Sequence, residues 1–138
     1  MRKEIVMSSR IGRPYSATTA HGTKAGGFVF VTGQLANKPG TDPLKRPAEV
    51  GEMGGIEEQT TQVLENIKAI LEEAGTSFEH VVKRNIYITH LGDFDPVYRI
   101  MERYFTTRVA STGVVTGLVP VSARVEIDVI AVVPEPGA

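Results

Sequence analysis

Apolar residues recur along this chain in two different periods. Ile56, Val63, Leu64, Ile67, Ile70, Leu71 and Ala74 return at steps of three and four, which places them on one face of a helix. Glu57 and Glu58 suit the positive end of that helix, and Gly75 stands where a left-handed C-cap belongs. Phe94, Val97, Ile100, Met101, Tyr104 and Phe105 mark a second helical stripe. Asp95-Pro96 reads as its N-cap followed by a proline at the first helical position.

Strand signals separate these helices. Phe28-Val29-Phe30-Val31 is a continuous apolar run ended by Thr32-Gly33, as expected of a strand buried on both faces. Val81–Thr89 is rich in β-branched residues and alternates from Arg84 onward. Gly113–Val119 and Arg124–Val133 supply two more strands, closed by Pro134 and Pro136. Arg2–Met7 and residues 18–24 are candidates for further edge strands. Residues 35–55 hold three prolines and four glycines and read as a long excursion.

The resulting order is strand, excursion, helix, strand, helix, strand, strand. Two amphipathic helices can cover one face of such a sheet. On the last strand Val125, Ile127, Val129, Ala131 and Val133 fill one side. Ile130 and Val132 share the other side with Arg124, Glu126 and Asp128. An uncovered face this apolar points to oligomerisation.

At 138 residues the chain is expected to form one domain over 1–138. Lys+Arg is 15 and Asp+Glu is 16, a net charge of −1, so nucleic acid and anionic membrane surfaces are not expected partners. The absence of cysteine excludes thiol catalysis, disulfides and cysteine-based metal sites. His21, His80 and His90 are scattered without metal-ligand spacing, and no glycine-rich nucleotide loop is present. No metal and no cofactor is expected. The start MRKEIVMSSR lacks the apolar run of a signal peptide, and no stretch approaches a membrane span. A cytoplasmic protein is the expectation.

A few residues stand out chemically. Glu126 and Asp128 project to one side of an otherwise apolar strand face. Burial there raises a carboxyl pKa and suits it to proton transfer. The bland alternative is an ion pair with Arg124 or across to a neighbouring strand. Tyr15, in the turn-like Arg13-Pro14-Tyr15-Ser16, is either a ligand contact or a packed surface ring. Gly33 in Thr32-Gly33-Gln34 permits close backbone approach, or marks a simple bulge. Lys45-Arg46 and Lys83-Arg84 are read as solvent-facing pairs.

Together several segments resemble the RidA/YjgF family, once labelled translation inhibitors or L-PSP endoribonucleases. They are Pro14-Tyr15, Phe30-Val31-Thr32-Gly33-Gln34, the run from Val63 to Gly75, Val81-Val82-Lys83, and Ile86-Tyr87-Ile88. Asp93-Phe94, Tyr104-Phe105 and Val125 to Val132 complete the set, which spans about residues 13–133. The resemblance implies an α+β, chorismate-mutase-like mixed sheet with two helices on one face, assembled as a homotrimer around a central barrel. It also implies hydrolysis of reactive imines and enamines in inter-subunit clefts. The family's proton-handling glutamate falls on Glu126 and its cleft tyrosine on Tyr15. Thr32, Gly33, Tyr87, Ser111 and Arg108 are then the expected substrate-binding residues.

One departure stands out. Active members carry an arginine that holds the substrate carboxylate. Aligned on Pro120, this chain has Val109-Ala110-Ser111-Thr112 there, with Ser111 at the arginine's place and Gly113 where a small residue, often cysteine, follows. A serine offers one neutral hydrogen bond in place of a two-pronged charged one. Arg108, three residues upstream, reads as a surface arginine ending the second helix or as a substitute. Little activity on small 2-imino acids is therefore expected. Three readings follow: a hydrolase for another imine, enamine or amino-muconate-type metabolite; a non-catalytic trimer that binds small molecules or a partner; and, from the old label alone, an endoribonuclease.

Overall fold

A computed structural model describes residues 2–40, 53–119 and 122–136. Most of the 35–55 excursion, with Lys45-Arg46, lies outside the described residues, as does Pro120. Six strands form one sheet: β1 (Glu4–Val6), β2 (Gly22–Ala25), β3 (Phe28–Gln34), β4 (Val81–Ile88), β5 (Ala110–Val115) and β6 (Val125–Val132). Their order is β1-β2-β3-β6-β4-β5. All neighbours are antiparallel except β4 and β5. A parallel pair needs a crossover, and this one carries the helix α2 (Phe94–Met101). The longer helix α1 (Ile56–Ala74) joins β3 to β4.

Helix α1 buries the stripe anticipated from its spacing, and Gly75 ends it at φ 86°, in the left-handed region. The core lies between the helices and one sheet face. There Val29, Val31, Ile86, Ile88, Val125, Ile127, Val129 and Ala131 meet Leu64, Ile67, Ile70, Val97 and Met101. Among the described residues no helix is long and apolar enough to cross a membrane.

Four expectations are corrected. Strand β3 is buried on one face only within the chain: Val29 and Val31 point inward while Phe28 and Phe30 are 39% and 45% exposed. They lie opposite Val132 and Ile130 of β6 on the uncovered face. Helix α2 begins at Phe94, so its N-cap is Asp93 rather than Asp95. The Asp93 carboxylate makes no cap bond because Arg124 takes it, Nη2 to Oδ1 at 2.6 Å and Nε to Oδ2 at 3.0 Å. Strand β5 starts three residues earlier than expected and stops at Val115, leaving Val119 78% exposed. Strand β2 is not an edge, because β1 pairs beyond it.

Candidate functional site

Strand β6 places Glu126 and Asp128 on the uncovered face, directly opposite Tyr87 and Asn85 of β4. Their surroundings separate them. Asn85 Nδ2 donates to Asp128 Oδ1 at 2.8 Å. Asp128 thus holds two strands together. The charge of Asp128 is the main reason the Tyr87 hydroxyl titrates above its ordinary value.

Glu126 has no cation at ion-pair distance among the described residues. Arg124, expected beside it, turns away to Asp93. Glu126 is left half-buried, and burial first, then the charge of Asp128, pushes its carboxyl above the usual range. A carboxyl so shifted exchanges a proton closer to neutral pH than an ordinary one does.

Gly33 brings the backbone of β3 against this group. It sits where the β3–β6 register breaks between Val31 and Gln34. A Cβ on Gly33 would stand 2.8 Å from Glu126 Oε2. Gly33 also lines a small cavity of about 50 Å³ shared with Tyr15, Thr32, His21 and Asn66. Two bonds of His21 fix this wall. Its Nδ1 accepts from the Ser8 N–H at 3.0 Å, which leaves Nε2 to donate to the Gly12 carbonyl at 2.8 Å. The buried imidazole therefore anchors the segment that presents Tyr15. The Thr32 hydroxyl donates to the Ala20 carbonyl, tying that segment to β3.

The structure thus gathers Tyr15, Thr32, Gly33, Glu126 and Tyr87 around the β3–β6–β4 strip. Ser111 and Arg108 are not part of it in the same chain. Ser111 lies on β5, three strands from β3, a separation of about 14 Å. Its hydroxyl accepts from Arg84 Nε at 3.0 Å and lies 3.4 Å from the Tyr98 hydroxyl. Arg108 is exposed in the segment between α2 and β5.

Arg84 was expected in solvent and is only 8% exposed. Its guanidinium carbon lies 4.7 Å from the centre of the Phe105 ring and 5.5 Å from that of Tyr98. The signal that locates it is the alternation of β4, which puts Arg84 in phase with the buried Ile86 and Ile88. Gly113 also has a packing reason. A Cβ there would meet Phe94 Cζ at 2.5 Å.

With this geometry in hand, comparison with known proteins is specific. The family model described as Endoribonuclease L-PSP matches residues 9–133. A RutC family protein of Pyrococcus abyssi is 35% identical over 132 residues, covering 95% of this chain and 98% of the relative. Yersinia pestis YyfA, of the conserved Rid protein family, superposes with a TM-score of 0.82 at 30% identity, covering 96% of this chain and 100% of that one. Escherichia coli TdcF, solved with bound serine, superposes with a TM-score of 0.79 at 27% identity over 94% and 98% of the two chains. Matched almost end to end in both sequence and fold, the chain belongs to the RidA/YjgF family.

Proposed function

We propose that the protein hydrolyses a small imine or enamine, releasing ammonia and leaving the carbonyl product, in clefts between the copies of a homotrimer. The observation that carries this reading is Glu126: a half-buried carboxyl with a raised pKa and no paired cation among the described residues, held against the backbone of Gly33. Water adds to the imine carbon as Glu126 takes its proton. Glu126 returns that proton to the nitrogen to give the carbinolamine, then carries the hydroxyl proton to the amino group as the C–N bond breaks, leaving the carbonyl and releasing ammonia. An enamine enters the same path after tautomerising to its imine. A positioned acid/base of this kind contributes roughly 10²–10⁴ in rate.

Two further observations support the setting. Phe28, Phe30 and Val82 are exposed on the sheet, an apolar surface suited to a second and third copy. TdcF, which shares the fold, holds serine, a small amino acid. A net charge of −1 favours such a metabolite over RNA. The test is ammonia release from a freshly generated 2-imino acid by wild type and Glu126→Gln, with the mass of the assembly measured alongside. The expected result is a loss of about 100-fold or more at an unchanged mass of three times 14.9 kDa. Turnover that survives the substitution overturns the assignment.

A further inference from the structure

We propose that Arg84 anchors the carboxylate of a small organic acid in the recess between the end of α2 and β5. Four observations carry this. The Arg84 side chain is largely buried, yet no carboxylate lies within ion-pair distance of it among the described residues. Its Nε is committed to Ser111 Oγ and its face to the Phe105 ring. Those contacts fix the plane of the guanidinium and leave the two terminal nitrogens, with their four N–H bonds, unspent. Arg84 also lines an open recess of about 450 Å³ together with Arg108, Thr106 and Thr107.

A desolvated cation without an anion is costly, and the aromatic ring offsets only part of that cost. A planar carboxylate laid edge-on to the terminal nitrogens completes the site with two parallel charge-assisted bonds. Arg108 adds a second positive charge, and the two threonines add neutral donors. Glu102 also borders the recess and pairs with neither arginine. Its negative charge disfavours a doubly charged phosphate relative to a single carboxylate.

Arg84 and Ser111 are direct partners in the β4–β5 register. The guanidinium therefore arises from the strand next to Ser111 and reaches the neighbourhood of that residue. A guanidinium thus stands beside Ser111 although the residue at that position is a serine. Arg84 and Glu126 lie on opposite faces of one sheet, so a small 2-imino acid held by Arg84 would meet the Glu126 of a neighbouring copy. The proposal rests on the hydrolase reading only in making the carboxylate the substrate's own.

The test titrates pyruvate, and separately inorganic phosphate, into the intact protein by calorimetry, with ammonia release followed in parallel. Wild type is expected to bind pyruvate saturably. Arg84→Thr is expected to bind it at least about tenfold more weakly. The exchange Arg84→Thr with Ser111→Arg, which returns a guanidinium from the paired strand, is expected to restore binding. If Arg84→Thr fails to fold, Arg84→Lys keeps the charge but loses the fork, and a weakening of several-fold is expected there. A purely structural arginine predicts lower stability with unchanged pyruvate affinity, and that result overturns the proposal. So does absence of pyruvate binding to wild type, or tighter binding of phosphate. Arginine-dependent binding without ammonia release refutes the hydrolase reading and leaves the anchor standing. Undiminished ammonia release by Arg84→Thr does the opposite.

Discussion

Gly33 and Glu126 occupy adjoining space with no room for a methyl group between them: a Cβ on Gly33 would lie 2.8 Å from Glu126 Oε2 and 3.1 Å from its Cδ. The obstructed atoms belong to the end of a flexible side chain, so a methyl group displaces the carboxyl rather than the backbone. Gly33→Ala is expected to fold with a stability change below about 1 kcal/mol by urea titration. Ammonia release is expected to fall about 10- to 100-fold, because the acid/base is moved off its position. A variant as active as wild type would show that the placement of Glu126 against β3 is irrelevant to turnover.

Glu126 also makes stability depend on pH. Its folded-state pKa is raised above the ordinary 4.5, so the native protein binds this proton more tightly than the unfolded chain. Its stabilising contribution is complete below the ordinary value and is lost as pH rises through the raised one. Glu126→Gln, which never ionises, is expected to melt above wild type at pH 7–8, with the gap closing towards pH 4. Thermal melts at both pH values decide this, and a variant less stable at neutral pH contradicts the burial argument.

Gly113 lies on β5 under the ring of Phe94. A Cβ would come within 2.5 Å of Cζ and 2.9 Å of Cε2, and the ring is stacked on Tyr98 at 4.7 Å. Gly113→Ala is expected to cost about 1–3 kcal/mol through overpacking. Introduced on a Phe94→Leu background, the same change should cost much less. Equal costs on both backgrounds, measured by urea titration, would remove Phe94 as the cause.

Phe30 tests the uncovered face. It is 45% exposed opposite Ile130, where the proposed trimer buries it. Phe30→Glu would place a charge in that interface. Light scattering is expected to show a single chain with helical content retained, and ammonia release should disappear with the assembly. A Phe30→Glu protein of unchanged mass would place the oligomer contact elsewhere.

Local periodicity already specified much of this molecule. The stripe from Ile56 to Ala74 with Gly75 behind it determined α1, since a helix boundary depends on residues within one turn of it. Alternation on β6 assigned Glu126 to the face opposite Val125 and Ile127, because the side-chain period of a strand is two. The same alternation on β4 assigned Arg84 to the inside. Adjacent residues on a strand point to opposite faces, so Lys83 and Arg84 do not share an environment although they form a basic pair in sequence.

Pairing across the chain was not legible. Which carboxylate Arg124 meets depends on where α2 begins, 31 residues away in sequence, and the structure gives it Asp93. That choice leaves Glu126 without a counter-charge among the described residues. The neighbour of Ser111 was decided by the parallel register of β4 and β5, which no local pattern encodes. The sequence by itself determined the elements, the family resemblance and the face that carries Glu126. Only the tertiary structure decided which charges are paired, because pairing is settled by strand order and register, and these follow from burial of the whole apolar set at once.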